Sequence, residues 1–266
     1  MVPHTLSNAE CRSFLDHGYV QRPGLVPASL VEAARKAIDI DLAADRSLGH
    51  MPKYLGDSFC PGLLSDPKIR DLYDASPVRD IVADLFGPDR TLTHEAQIAV
   101  RFPEYTDQPK SHPPHIDGFP STYNTVTPGT VYRQNLLVGV YLSRIEQNNM
   151  GNFVVWGGSH RRVADIYRSL DVTRLLAEHA PAELMKRLIP PDLDEGTQII
   201  AEPGDVVLAH GGLVHSAASN LSLQLRYAVY FRVNLTADDF TDPRGFGEPM
   251  RYFDRIANRR GVRLSD

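Results

Sequence analysis

The sequence predicts a mainly β fold, a sandwich or barrel, preceded by a flank of helices. From Thr91 onward the chain runs through short β-rich segments bounded by Gly, Pro and Asn: LTHEAQIAVRF, LLVGVYLSRI, NFVVW, TQIIAE, DVVLAH and LRYAVYFRVNL. Before Thr91 the apolar residues follow helical spacing and carry helix start and stop signals. At 266 residues and 42% hydrophobic content, the chain is long enough to bury one sizeable core.

The elements follow in order. Ser7 with Glu10 three residues on is a capping-box signature, and Gly18 supplies the stop, so the first helix lies between them. YVQRPGLVP is a strand-like piece ending in a turn. Ala28 to Leu42 is a second helix with Leu30, Ala33, Ala37 and Ile38 on its expected inner face. Asp66 to Phe86 is helical with a break at Pro77 and a buried stripe of Leu72, Val78, Ile81, Val82 and Leu85. Within the β-rich part, about Val163 to Leu188 is a helical insertion carrying Leu175, Leu176, Leu184 and Leu188. The tail places Arg251, Arg255, Arg259, Arg260 and Arg263 at helix-like intervals, the pattern of a solvated helical face. No repeat or linker divides the chain, so one domain is expected: residues 1–90 a helical flank, 91–240 the β core with its insertion 163–188, and 241–266 a helical tail.

Composition excludes several function classes. A formal charge of -5 with no basic block gives no footprint for nucleic acid. No stretch approaches the roughly 18 apolar residues of a membrane span, and the first residues lack a signal-peptide pattern. Cys11 and Cys60 form no CxxC pair, which argues against a disulfide framework or structural zinc and suits a reducing, cytoplasmic setting.

The chemistry concentrates in HPPHIDGFP, His112 to Pro120. In an extended segment residues two apart share a face, so His115 and Asp117 project together while Ile116 turns away. An imidazole nitrogen and a carboxylate oxygen make a two-point chelate for a divalent ion, and a third imidazole would complete a facial triad with open positions. The candidates are His94, His112, His160, His210 and His215. His215 is favoured because it follows a Pro-Gly-Asp turn, a buried strand and a Gly-Gly bend, which place it just beyond a strand end; His210 closes the same strand and competes. In LRYAVYFRV, Leu225, Tyr227, Val229, Phe231 and Val233 form one apolar face, with Arg226, Ala228, Tyr230 and Arg232 on the other. A guanidinium keeps its charge when enclosed, so if this second face lines a cavity Arg226 requires a carboxylate or phosphate there. If it meets water, no partner is needed.

Together these residues resemble the phytanoyl-CoA dioxygenase family of iron(II)/2-oxoglutarate oxygenases. The resemblance rests on His115-Ile-Asp117, a distant His215 and an arginine 226 − 215 = 11 positions later. It extends to the opening LSNAECRSFLDHGYVQRPGLVPASLVEAARKAID, to LLVGVYLSRIEQNNMGNFVVWGGSHRR and to GDVVLAHGGLVHSAASNLSLQLRYAVYFR, most of residues 6 to 232. Two departures stand out: Trp156-Gly157 replaces the usual proline before Gly-Ser-His, and Ala217 replaces a small hydroxyl residue beside the cosubstrate.

The resemblance implies a double-stranded β-helix, or jelly roll, with Fe(II) held by His115, Asp117 and His215. It implies 2-oxoglutarate as cosubstrate with its far carboxylate on Arg226, O2 as oxidant, and hydroxylation or a related oxidation of an unactivated C–H bond. It also suggests Gln97 and Asn135, or Gln134 beside it, as amides near the cosubstrate. The loop Gly118 to Asn135 is long, aromatic and rich in hydroxyls, as a lid would be. The expected substrate is a small metabolite or natural product and the expected assembly a monomer or homodimer. The rivals are a cupin-like isomerase or hydrolase and a metal-free ligand-binding jelly roll.

Overall fold

The structure, a computed structural model, describes residues 5–44, 58–87, 89–106, 112–120, 126–178 and 181–258. Helix α1 (Asn8–His17) has the expected capping box: the Ser7 N–H donates to Glu10 Oε2 at 2.7 Å, the Glu10 N–H donates to Ser7 Oγ at 3.3 Å, and Gly18 ends the helix. Strand β1 (Tyr19–Arg22) follows, then α2 (Ala28–Ala44). On α2 the buried face is Val31, Ala34 and Ile38, with Leu30, Ala33 and Ala37 half-buried beside it. The expected face is therefore rotated by one residue. Two apolar stripes lie side by side on this helix, and only its packing partner, α3 (Pro67–Asp74), selects between them.

The break predicted at Pro77 separates α3 from α4 (Val78–Phe86). Ser76 Oγ donates to the Leu72 carbonyl and accepts from the Val78 N–H, bridging the two helix ends. All five residues of the predicted stripe are buried. The β-rich part consists of β2 (Leu92–Arg101), β3 (Leu136–Tyr141), β4 (Phe153–Val155), β5 (Thr197–Gln198), β6 (Val206–His210), β7 (His215–Ala217) and β8 (Arg226–Leu235). The insertion is three short helices, α5 (Ser159–Ser169), α6 (Val172–Glu178) and α7 (Pro181–Leu188). After β8 a 3-10 turn at Pro243–Gly247 leads to α8 (Asp254–Asn258), whose Ile256 and Ala257 are buried. Arg259, Arg260 and Arg263 of the predicted tail lie outside the described residues.

The strands form two antiparallel sheets, a five-stranded one in the order β1-β6-β3-β8-β2 and a three-stranded one in the order β5-β4-β7. The pleat sorts the side chains of the larger sheet into two sets. Ile98, Val100, Leu136, Val138, Val140, Val206, Leu208, Tyr227, Val229, Phe231 and Val233 pack against the N-terminal helices. Leu137, Tyr141, Val207, Ala209, Ala228 and Tyr230 face the smaller sheet and meet Phe153 and Val155. Outside the smaller sheet, Val154 and Trp156 pack on Val163, Tyr167 and Leu175 of the helical insertion. Two sheets facing each other with helices outside is the sandwich a jelly roll requires. Among the described residues no helix is long and apolar enough to cross a membrane.

The pleat also sends His210 and His215 to different sides. His210 is in phase with Val206 and Leu208, so it points toward the helical layer and meets Phe14 and Phe253. Its Nδ1 accepts from the Gly212 N–H at 2.9 Å and its Nε2 lies against the Pro249 carbonyl, which can only accept. Both nitrogens are thus satisfied in the neutral ring, and His210 is structural. Burial pushes its pKa from 6.5 down to about 4, outweighing the Pro249 hydrogen bond. Between those two values the unfolded chain binds a proton that the folded chain refuses, so stability falls as pH drops through this window. The expected loss from this group between pH 7 and 4 is about 3 kcal/mol. Urea unfolding at pH 7 and pH 5 should show a larger fall in midpoint for the native chain than for His210→Gln; equal falls would refute this assignment.

Candidate metal centre

Residues 112–120 and β7 are far apart in sequence, and backbone pairing brings them together. The His115 N–H donates to the His215 carbonyl at 3.0 Å and the His215 N–H to the His115 carbonyl at 2.9 Å, forming an antiparallel pair. Residues opposed in such a pair carry their side chains on the same face. The two imidazoles therefore emerge together, with ring centroids 4.6 Å apart. Pro113 and Pro114 have no N–H, so this pairing resumes only at His112, whose N–H donates to the Ala217 carbonyl at 3.0 Å. Ile116 turns the other way into the core outside the smaller sheet, as its alternation with His115 and Asp117 predicts. Gly118, at φ 95°, closes the segment: its carbonyl accepts from the Tyr132 N–H at 2.7 Å, and a Cβ there would sit 2.4 Å from the Tyr132 carbonyl oxygen.

The three predicted ligands are the cluster that could hold a metal ion among the described residues. Asp117 Oδ1 lies 3.6 Å from His215 Nε2 and 3.9 Å from His115 Nε2, and the three donor atoms all lie within 4.8 Å of one another. Adjacent donors around an ion with bonds of about 2.1 Å stand roughly 3 Å apart, so rotations that move each side chain by about an ångström would close the triad on one ion. The ring tautomers suit this. His115 Nδ1 lies 3.0 Å from the Pro113 carbonyl and His215 Nδ1 2.9 Å from the Leu213 carbonyl. A carbonyl only accepts, so each Nδ1 carries its proton and each Nε2 offers a lone pair toward Asp117. Burial first, then the neighbouring His215, lower the His115 pKa to about 4, keeping the ring in its neutral, ligating form. Burial would raise the Asp117 carboxyl, but the Arg232 guanidinium beside it outweighs this and holds the group well below the usual carboxylate range.

The two oxygens of Asp117 have separate duties. Oδ1 faces the imidazoles, while Oδ2 accepts from Arg232 Nη2 at 2.9 Å and from Gln134 Nε2 at 3.2 Å. Arg232 Nη1 in turn donates to Gln97 Oε1 at 2.9 Å. This network presents one carboxylate oxygen to an ion and occupies the other. Gln97 therefore sits near the centre by way of Arg232. Asn135 is placed differently from expectation: its amide donates to Asp238 Oδ2 and accepts from the Leu235 N–H, anchoring the end of β8. Gln134 is the amide that reaches the metal-site carboxylate.

Arg226 is 3% exposed, and its face of β8 lines the space between the sheets instead of meeting bulk water. Its Nε donates to the Gly151 carbonyl at 2.7 Å and Nη1 to the Ala99 carbonyl at 3.1 Å. Among the described residues no carboxylate pairs with it. The remaining histidine candidates have other partners. His94 bonds Asp74 and Arg70, His112 bonds Arg101, and His160 lies against the Leu15 carbonyl. Trp156 is core and donates to the Asp194 carbonyl, and Ser216 is turned to the His112 carbonyl. Sequence reasoning put Arg232 on the correct face but gave it no role, because a charged residue in a strand looks the same whether it faces solvent or a buried carboxylate.

No protein-family model and no curated protein matches the chain. Solved structures with a similar fold include the non-heme alpha ketoglutarate dependent carbocyclase SnoK from nogalamycin biosynthesis. It is 22% identical, with a TM-score of 0.59 over 88% of this chain and 85% of that one. HygX from Streptomyces hygroscopicus, solved with nickel and 2-oxoglutarate bound, is 19% identical with a TM-score of 0.55 over 88% of each chain. The non-heme alpha ketoglutarate dependent epimerase SnoN, also from nogalamycin biosynthesis, is 19% identical with a TM-score of 0.55 over 88% of this chain and 87% of that one. The fold is accordingly a jelly roll.

The Asp117–Arg232 pair predicts a metal-dependent stability effect. Arg232→Met leaves the carboxylate with only Gln134 and the two neutral imidazoles, so the metal-free protein should lose about 2 kcal/mol. That is below the cost for fully enclosed pairs, because both side chains keep some exposure. Saturating Mn(II) or Ni(II) supplies replacement charge and should recover most of the loss in a thermal melt. An equal deficit with and without metal would contradict this role.

Proposed function

We propose that the protein is a non-heme Fe(II)/2-oxoglutarate-dependent oxygenase, folded as one domain, that hydroxylates an unactivated C–H bond of a small metabolite or natural product. The observation that carries the proposal is the combination of a His115–Asp117–His215 triad with a buried Arg226 that has no carboxylate partner among the described residues. The triad alone would serve many metal enzymes. A charged guanidinium enclosed between two sheets demands an anion, and the far carboxylate of a keto diacid chelating the same ion provides one. The structural likeness to SnoK, SnoN and HygX supports the same class, as does the resemblance to the phytanoyl-CoA dioxygenase family.

In this reading His115 Nε2, Asp117 Oδ1 and His215 Nε2 would hold the iron and would leave it free to take the keto acid and dioxygen. Bound iron with 2-oxoglutarate and O2 supplies the oxidising power: the keto acid becomes succinate and CO2, and one oxygen atom of O2 enters the C–H bond as a hydroxyl. The chain's own residues position the reactants. Arg226 orients the cosubstrate, and Arg232 and Gln134 keep Asp117 to a single donor atom. The apolar walls, Tyr141, Phe153, Val155 and Tyr230, limit water around the chelate. None of these residues needs to move a proton for the oxidation to proceed.

Anaerobic addition of Fe(II) and then 2-oxoglutarate should develop the weak visible absorption of an iron–keto-acid chelate, and admission of air should release succinate. Asp117→Ala should abolish the band by removing the central ligand. Arg226→Met should weaken 2-oxoglutarate at least about tenfold, in line with loss of a charge-assisted contact. A protein that binds the metal but neither develops the band nor consumes 2-oxoglutarate would favour a cupin-like isomerase or hydrolase instead.

A further inference from the structure

Arg226 does not stand alone. Its register partner across β2 and β8 is Arg101, so two guanidinium side chains leave opposed positions of neighbouring strands. Like charges placed opposite each other in a sheet repel, and burial makes the repulsion stronger. The backbone at Gly151 packs against both stems: a Cβ there would stand 2.9 Å from Arg101 Cβ and 3.3 Å from Arg226 Cβ. Arg226 is committed through Nε and one Nη to the carbonyls of Gly151 and Ala99. Arg101 Nη1 donates to His112 Nε2 at 2.7 Å, a bond that fixes its head group and is possible only with His112 neutral at that nitrogen. Burial, reinforced by the Arg101 charge, keeps His112 in that neutral state.

Among the described residues the surroundings show no anion paired with either arginine, and Glu104, the acidic group whose charge reaches Arg101, is exposed. Burial and the nearby Arg226 depress the Arg101 pKa to about 10, so the pair remains doubly charged at neutral pH. Two phenols complete the wall. Tyr230 lies on the same face of β8 as Arg226 and feels both guanidinium charges, and the buried Tyr141 hydroxyl has no hydrogen-bond partner among the described residues. A buried Arg226 with the half-buried Arg101 opposite it, beside an unsatisfied donor, is what a carboxylate would resolve.

We propose that Arg101, braced by His112, is a second anion-binding residue that shares the far carboxylate of the cosubstrate with Arg226 and so selects a dicarboxylic keto acid over a monocarboxylic one. The inference rests on the oxygenase reading above and adds to it a residue outside the triad-plus-Arg226 pattern.

The test separates the far carboxylate from the metal chelate. Using the full chain loaded with Ni(II) under anaerobic conditions, calorimetry measures the affinities for 2-oxoglutarate and for pyruvate, which keeps the keto-acid chelate but lacks the second carboxylate. Arg101→Met should weaken 2-oxoglutarate about tenfold or more while pyruvate and Ni(II) affinities stay unchanged, and Arg101→Lys should recover part of the loss. His112→Asn, which removes the brace and keeps the charge, should give a smaller loss in the same direction. Unchanged 2-oxoglutarate affinity in Arg101→Met, alongside a loss in Arg226→Met, would overturn the proposal and leave the oxygenase reading standing. Equal weakening of 2-oxoglutarate and pyruvate would also overturn it, assigning Arg101 to the scaffold. Failure of the native Ni(II) protein to bind 2-oxoglutarate at all would sink the oxygenase reading itself.

Discussion

The alternation of β8 is the constraint on which the rest of the molecule depends. Over Arg226–Leu235 the residues Tyr227, Val229, Phe231 and Val233 build the core under the helices, and Arg226, Ala228, Tyr230 and Arg232 line the space between the sheets. One ten-residue strand thus belongs to two environments at once. A shift of one residue would bury the rings of Tyr227 and Phe231 in the charged interior and drive two guanidiniums into an apolar core, so the register is specified on both faces. The central position between β3 and β2 holds the strand in that register by backbone hydrogen bonding along both edges.

Charge balance inside the sandwich follows from this strand. Arg232 at one end neutralises Asp117, and Gln97 and Gln134 satisfy neighbouring polar atoms. Arg226 at the other end stands opposite Arg101 with backbone carbonyls as partners. The interior is therefore balanced around the His115–Asp117–His215 cluster and positively charged away from it. A small molecule with a metal-binding head and an anionic tail fits such a gradient, and an apolar ligand does not. Buried charge of this kind contributes little to stability and is retained in folds where it has a ligand to meet.

Much of this was legible in the sequence because it depends on local spacing. The Ser7–Glu10 cap, the break at Pro77 and the same-face projection of His115 and Asp117 each involve residues within a few positions of one another. The two faces of β8 were legible for the same reason. What spacing cannot supply is which of two equivalent options tertiary packing selects. The inner stripe of α2 is displaced by one residue because Val31 and Ala34 are as apolar as Leu30 and Ala33. Asn135 and Gln134 are both amides at a strand entrance, and the pleat alone sends Gln134 to Asp117 and Asn135 to Asp238. The pairing of Arg232 with Asp117 and of Arg101 with Arg226 joins residues more than a hundred positions apart, beyond the reach of any local pattern.

In the proposed function one ion and one keto diacid share this interior, the ion on three side chains and the acid's far end on a guanidinium. A crystal structure of the protein grown anaerobically with Ni(II) and 2-oxoglutarate measures this directly. The ion is expected on His115 Nε2, Asp117 Oδ1 and His215 Nε2, with Asp117 Oδ2 still on Arg232 and the distal carboxylate against Arg226. An ion held by both oxygens of Asp117 with Arg232 displaced, or 2-oxoglutarate bound with its far carboxylate away from Arg226, would contradict it.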